Sequence, residues 1–334
     1  MFITLSRDIL LDNWLRRVLP GRDFSINPAS SDASFRRYYR VAFEGKTRIA
    51  MDAPPEHEDC RPFIHVARVF LAAGVHVPEI LEQDLEQGFL LLTDLGSTTY
   101  LNELAPHTAS PLYLDAVDTL LRIQLASRPG EFPEYDRALL LREMQLFPDW
   151  YIEKHVQKSL TTSQAESLHA TFELILRNIE SQPKVYVHRD YHSRNLMVSD
   201  PNPGVLDFQD AVHGAITYDL ASLFKDAYIS WDEEQVLDWV IRYWEKAKKA
   251  HLPVAGDFGE FYRDFEWMGV QRHIKVLGIF ARLFHRDGKE GYLKDMPLVM
   301  HYLRKACERY AALHPLLKLL DDLEDRAAQV GYTF

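Results

Sequence analysis

The stretch Val187–Phe208, VHRDYHSRNLMVSDPNPGVLDF, decides how the rest of the chain reads. It opens on an apolar strand end, runs through His188, Asp190 and His192, and places Asn195 five residues after Asp190. A hydrophobic run and a Pro-Asn-Pro-Gly turn follow, then a second strand that delivers Asp207 twelve residues after Asn195. Phosphoryl transfer asks for this set of groups. One carboxylate positions the acceptor hydroxyl and takes its proton, while an amide oxygen and a second carboxylate hold Mg²⁺ against the phosphates. Hard oxygen ligands suit Mg²⁺. The spacing therefore assigns Asp190 to the acceptor and Asn195 and Asp207 to the metal. Asp-x₄-Asn alone carries no information, whereas His-Arg-Asp-x₄-Asn followed by Leu-Asp-Phe is a specific combination. The competing reading makes Asp190 an exposed loop acid, Asn195 a turn former and Asp207 a strand-end cap.

On the N-terminal side of this stretch the pattern is α+β. Leu10, Leu11, Trp14, Leu15 and Val18 fall on one face of a helix over Arg7–Leu19, which Pro20-Gly21 stops. Aromatic and β-branched residues predict a strand over Ser34–Phe43, a hairpin turn at Glu44-Gly45-Lys46 and a return strand over Thr47–Met51. A helix over Arg61–Ala73 and strands over Glu79–Gln83 and Gly88–Leu92 follow. After Gly96 helical periodicity dominates: Pro111–Ala126, Arg137–Gln157, Thr162–Glu180, Glu233–Lys249, Phe258–Phe284 and Leu298–Leu313. Only Val185–Val187 and Gly204–Leu206 interrupt it as strands. The tail LLDDLEDRAAQVGYTF reads as a fraying helix end. The layout is a small sheet-bearing lobe over residues 1–95, assigned to the nucleotide, and a large helical lobe over 96–334, assigned to the catalytic loop and the acceptor.

Composition bounds the partners. The 334 residues carry a formal net charge of -11, which argues against nucleic acid, whose phosphates need a basic face. It does not exclude ATP, whose charge Mg²⁺ offsets. No apolar run reaches membrane-spanning length, the first twenty residues do not form a signal peptide, and two distant cysteines make neither a disulfide framework nor a zinc site. A cytoplasmic protein without a membrane partner or an obligate protein partner is expected.

The nucleotide side departs from the usual kinase pattern. No Gly-x-Gly-x-x-Gly is present; Ser30–Arg37 (SSDASFRR) takes its place, with Ser31 and Ser34 as candidate phosphate contacts. Where a strand lysine is expected the chain reads Thr47-Arg48-Ile49-Ala50-Met51-Asp52, so Arg36, Arg37 or Arg48 is left to pair with phosphates, or all three are solvated strand charges. Leu90–Gly96 (LLLTDLG) is the joint, with backbone groups near Thr93 and Leu95 offered to the adenine edge.

These motifs resemble the aminoglycoside phosphotransferase and choline kinase branch of the protein-kinase-like fold, whose loop reads His-x-Asp-x-His-x-x-Asn; His192 matches the second His. Tyr218-Asp219-Leu220-Ala221 is similar to that branch's helix start, and the short path from Asp207 to it leaves no room for a peptide-docking activation loop. The resemblance implies a two-lobed α+β enzyme using ATP and Mg²⁺ on a small molecule. It also implies structural roles for His188, His192 and Asp219, although Asp219 reads equally as a helix N-cap. SDASFRRYYRV, MDAPPEHED, LLTDLGSTTYL, LFPDWY, HRDYHSRNLM, LDFQDA and WMGVQRHIKVLGIFARL together are similar to the bacterial N-acetylmuramate/N-acetylglucosamine 1-kinases, anomeric sugar kinases of peptidoglycan recycling. The sugar acceptor this implies would meet Arg194, Trp267, Arg272 and His273, with Asp149 and Trp150 as a further wall; a core-helix reading competes for each. Two alternatives stay open. An aminoglycoside kinase would recruit Asp210, Asp264 and Glu266 for a polycation. A pseudokinase binding module is suggested by the absent lysine.

Overall fold

The computed structural model describes residues 6–31 and 35–325. Ser34 and the tail beyond Asp325 lie outside them. In chain order the elements begin with α1 (Arg7–Val18), β1 (Ser25–Ser31), β2 (Arg37–Phe43), β3 (Lys46–Asp52), α2 (Arg61–Ala72), β4 (Ile80–Asp84), β5 (Phe89–Thr93) and the single turn α3 (Tyr100–Glu103). Next come α4 (Ala109–Leu125), α5 (Arg137–Met144), a π-helical segment Phe147–Val156, α6 (Thr162–Ser181) and β6 (Lys184–Val187). The short strands β7 (Leu196–Met197), β8 (Gly204–Val205) and β9 (Val212–Ala215) precede α7 (Tyr218–Phe224), α8 (Glu233–Lys249), α9 (Phe258–Asp287), α10 (Met296–Arg309) and α11 (His314–Leu323).

Contacts divide the chain into two compact units: residues 1–103 with 196–210, and residues 104–195 with 211–334. This grouping differs from a single cut after residue 95. The segment that carries Asp207 belongs by its packing to the first unit, because Phe208 lies against Phe63 and Phe70 of α2, with ring centroids 4.8 and 6.0 Å away.

The first unit is built on an antiparallel sheet of order β1-β2-β3-β5-β4. Glu44 and Gly45, at φ 49° and 71°, close the β2–β3 hairpin, which is the two-residue turn whose twist suits antiparallel strands. Leu11, Trp14 and Leu15 of α1 bury against Val41, Phe43, Ala50, Phe89 and Leu91 on the sheet. The periodicity missed β1, because SINPASS has the composition of a loop. It is an edge strand with a register shift between Pro28 and Ser30, where proline is tolerated. The strand expected over Ser34–Phe43 accordingly starts at Arg37, and Ser31 ends β1 opposite it.

In the second unit the helix expected over Arg137–Gln157 is two elements. Proline cannot donate in a helix interior, so the chain restarts at Phe147-Pro148 with π-helical pairing. The expected tail helix is real as far as Leu323. The 30-residue α9 forms the centre, buried almost without a break from Phe265 to Leu283. It takes Glu266, Gln271, Arg272, His273 and Lys275 into the interior. Buried charges must be paired, and their partners lead to the site.

Candidate active site

The loop after β6 has its backbone fixed from several directions. Arg189 sits at φ +78°, a conformation that costs a non-glycine residue ~1–3 kcal/mol unless its surroundings impose it. Asp219, in the first turn of α7, supplies one constraint: its carboxylate accepts the backbone N–H of His188 at 2.7 Å and of Arg189 at 3.0 Å. The N-cap of that helix is Thr217. Arg272 of α9 supplies the other, donating to the Arg189 carbonyl at 2.9 Å. The Asp190 N–H donates to His188 Nδ1 at 3.3 Å, and the Asp190 carbonyl accepts from His192 N–H and from Asn195 Nδ2, both at 3.0 Å. Asp226 receives the Ser193 N–H at 3.0 Å. The loop is thus held by carboxylates on three of its N–H groups and by Arg272 and the Ser222 hydroxyl on the Arg189 carbonyl.

The electrostatics converge on Asp190. Its side chain keeps 42% of its surface, and Arg272 lies 3.7 Å from its carboxylate. Desolvation pushes its pKa up, but Lys275 first, then Arg272, His192 and Arg189, hold it well below the usual carboxylate range. These cations are themselves anchored. Lys275 meets Glu143 at 3.2 Å and the Tyr218 hydroxyl at 3.0 Å; Arg189 also pairs with Glu143, which accepts from Tyr135. Glu143 stays ionised despite burial because Lys275 and Arg189 flank it. Asp190 is therefore a permanently charged, partly open carboxylate backed by buried cations.

The substrate candidates separate. The Arg194 guanidinium lies 3.5 Å from the Tyr228 ring centre and 3.6 Å from Asp295. Tyr228 also meets His192 edge-on, at 5.4 Å between ring centroids. Burial holds the His192 pKa below its usual value. Trp267 and His273, expected as sugar contacts, are only 8% and 2% exposed. Trp267 packs on Tyr310; His273 stacks on Tyr302, and its Nε2 lies 3.1 Å from the Lys225 carbonyl oxygen. Because α9 is buried on all sides, two candidates on it have almost no surface to offer. Arg272 touches Asp190 but is committed to the loop.

In the first unit Asp207 follows β8 at φ +60°, a region Asp tolerates better than most residues, and Gln209 Nε2 donates to it at 2.7 Å. Arg36 pairs with Glu58 at 3.3 Å. Arg48 stands opposite Thr93 on β5 and donates to the Thr47 carbonyl at 2.9 Å. The Thr93 N–H donates to Glu79 O at 3.0 Å, and its hydroxyl accepts from Glu79 N–H at 2.9 Å. Asp94 takes a two-point contact from Arg40, at 2.6 and 3.1 Å, and Arg40 also reaches the Gly96 carbonyl at 2.8 Å. Leu95 is buried, and its side chain approaches so closely that a Cβ on Gly204 would lie 2.9 Å from it.

The donor chemistry suits Mg²⁺. Asn195 commits its amide nitrogen to the Asp190 carbonyl, so its oxygen, the hard ligand, is at the other end. Glu58, Asp207 and Asp210 all act on Arg36, so carboxylates gather there, and carboxylate oxygens are the hard donors a divalent ion takes. Among the described residues no group of three or more His, Cys, Asp or Glu forms a protein-only metal cage. Mg²⁺ is typically held by one or two protein carboxylates together with substrate phosphates.

Residues 25–254 match the phosphotransferase enzyme family. The chain belongs to this family. An N-acetylmuramate/N-acetylglucosamine kinase of Neisseria meningitidis serogroup B is 49% identical over 336 residues, covering 99% of this chain and 100% of that one. The enzyme of that name from Pseudomonas aeruginosa is 51% identical over 300 residues, covering 90% and 89%. Among solved structures, choline kinase LicA from Streptococcus pneumoniae matches with a TM-score of 0.63 at 11% identity, covering 89% of this chain and 99% of that one. The ADP-bound aminoglycoside phosphotransferase APH(2'')-Ib matches with a TM-score of 0.59 at 14% identity, covering 88% and 97%. These likenesses show the fold, which is protein-kinase-like.

Three residues outside the motif hold the surroundings of Asp190. Lys275, Glu143 and Asp226 support the Asp190 loop from α9, α5 and the end of α7. Only Lys275 left a trace in the sequence, as a lysine within the apolar run IKVLGIF three residues after Arg272. No helix among the described residues of this phosphotransferase is long and apolar enough to cross a membrane.

Proposed function

We propose that this phosphotransferase moves the terminal phosphoryl group of ATP to the anomeric hydroxyl of N-acetylmuramate and N-acetylglucosamine. The observation that carries the reading is the 49% identity to the Neisseria kinase across the whole of both chains. The site supports it. A carboxylate held well below its usual range is a weak base. It suits an acceptor that needs orientation more than deprotonation, and an anomeric hydroxyl, acidified by the ring oxygen, is such an acceptor. Asp190 would accept the hydroxyl's hydrogen bond and receive its proton as the bond to phosphorus forms. Asn195 and Asp207 would hold Mg²⁺, which neutralises charge on the phosphates when bound.

His188, His192 and Asp219 keep the loop in shape, on this reading. The Leu95 backbone is the better adenine contact, since the Thr93 N–H is engaged by Glu79. Residues 1–95 serve the nucleotide and the helices after them the acceptor. The lactyl carboxylate of N-acetylmuramate would meet Arg194, whose side chain is 36% exposed. A cytoplasmic setting, where ATP is available, belongs to the same reading.

Two of the three carboxylates that a polycationic acceptor would recruit are already engaged. Glu266 is paired with Lys225 and Arg309, and Asp264 with Asn178 and Arg263. ADP release with N-acetylmuramate, N-acetylglucosamine and kanamycin tests the reading. Turnover with the two sugars is expected; turnover with kanamycin alone, or with none of the three, contradicts it. Asp190→Ala should lower kcat by about 10²–10⁴-fold while ATP still binds.

A further inference from the structure

Asp52 occupies the end of β3 where the strand lysine was expected, and it is fully buried. Its carboxylate gathers two cations, Arg7 Nε at 3.0 Å and Arg37 Nε at 3.1 Å. Arg7 reaches on to the Gln87 carbonyl at 2.7 Å. Arg40 is committed to Asp94 and Gly96 at the joint. Arg48 donates to its neighbour's carbonyl, and Lys46 is exposed at the hairpin. Of the strand cations, Arg37 and Arg40 are thus spent on fixing the sheet and the joint.

Arg36 differs. Only 12% of its side chain is exposed, and Glu58 meets its Nε at 3.3 Å. The other oxygen of Glu58 accepts the Phe35 N–H at 3.3 Å, and Phe35 stacks on His57 with ring centroids 4.3 Å apart. The turn before α2 therefore pins both the backbone and the side chain on which Arg36 depends. Burial opposes the guanidinium charge, but Tyr38, Glu58, Asp207 and Asp210 act on it strongly enough to keep it fully charged. A cation paired with a glutamate in the turn before α2, in the field of Asp207, is similar to the lysine–glutamate arrangement that phosphoryl transfer uses to grip phosphates. A guanidinium suits that task because its planar fork matches phosphate oxygens.

We propose that Arg36, held in place by Glu58, is the cation that grips the nucleotide's phosphates in this chain, in place of the strand lysine. The inference rests on the phosphotransferase reading of the site but not on the identity of the sugar.

The test compares binding of Mg·ADP and of adenosine, which lacks phosphates, to the full-length protein by calorimetry. Arg36→Met should lose roughly ten- to hundredfold in Mg·ADP affinity, the size of one hydrogen bond to a charged group, with adenosine affinity within about twofold of the parent. Arg36→Lys keeps the charge without the fork and should lose about three- to tenfold. Glu58→Gln should lower Mg·ADP affinity by a similar factor, again sparing adenosine. If Arg36→Met fails to fold, the Lys and Gln variants carry the decision.

Mg·ADP affinity unchanged across the folded variants overturns the inference. So does an equal loss for ADP and adenosine, which would mark a structural role, and so does a selective ADP loss in Arg48→Met but not in Arg36→Met. The two readings fail separately. A parent protein that phosphorylates none of the sugars, yet loses ADP affinity at Arg36, refutes the sugar and keeps the phosphate grip. A working sugar kinase indifferent to Arg36 does the reverse.

Discussion

Arg189, with its positive φ, shows how single residues shape the loop before Asp190. Its N–H is fixed by Asp219 and its carbonyl by Arg272, so the strained conformation is imposed through the peptide units on both sides of the residue. Arg272→Met should leave the carbonyl to the longer Ser222 hydroxyl bond, at 3.3 Å, and remove the charge beside Asp190. A displacement of about an ångström at a reacting group can cost on the order of 10²-fold. The expected result is a fall in kcat of about ten- to hundredfold with KM for ATP nearly unchanged, measured by steady-state ADP release. A rise in KM for ATP at constant kcat would contradict it.

Asp219 makes a pH prediction. Burial pushes its carboxyl up to about 7 although both N–H bonds work the other way. Only the ionised form offers both oxygens as acceptors, so the loop loosens as pH falls through 7, and kcat should drop on that acid limb. Stability moves in the opposite sense. The folded state holds a proton that the unfolded chain, with a carboxyl pKa near ~3.9, has released, so stability from this group rises as pH falls from 7 towards 4. Asp219→Asn should lower kcat at every pH and remove the limb; a limb that stays would point to another group.

At the scale of elements, α9 is both the centre of the second unit and the carrier of Arg272 and Lys275. Gly278 lets it approach the residue before the π-helical segment: a Cβ there would lie 2.4 Å from the Leu146 carbonyl carbon. Backbone cannot yield as a side-chain tip can, so Gly278→Ala should destabilise the protein by about 1–3 kcal/mol and lower Tm by several degrees. An unchanged melting temperature would contradict this packing. The elements also show what a sequence reveals. Glu233–Lys249 and the start of α9 were legible because amphipathic periodicity and caps are local signals. The edge strand β1 was not, since its composition is that of a loop and its pairing with β2 is long-range. Nor was the break at Pro148 in the helix expected from Arg137, where a proline that could merely kink a helix instead ends one and starts another.

At the scale of the whole molecule, the order of elements and the His188–Asp207 motif made the protein-kinase-like fold legible from the sequence. The loop around Asp190 stands out in the sequence because its polar residues are compressed into a few consecutive positions. Beyond His192 and Arg189 in the motif itself, the groups that surround Asp190 come from α5, α7 and α9, between about thirty and ninety residues away along the chain, and spacing carries no information about them. Trp267 and His273 were misjudged for the same reason. The resemblance offered them as sugar contacts, but which faces of α9 are covered depends on every helix packed around it.

The central claim, phosphorylation at the anomeric position, is tested most directly by the site of transfer. The enzyme would be incubated with Mg·ATP and either N-acetylglucosamine or its 1-O-methyl glycoside, and the product followed by phosphorus NMR together with the loss of reducing ends. One sugar 1-phosphate and one lost reducing end per ADP formed are expected, with no turnover of the methyl glycoside. Phosphorylation of the methyl glycoside at a comparable rate, or a phosphorylated product that keeps its reducing end, would contradict it.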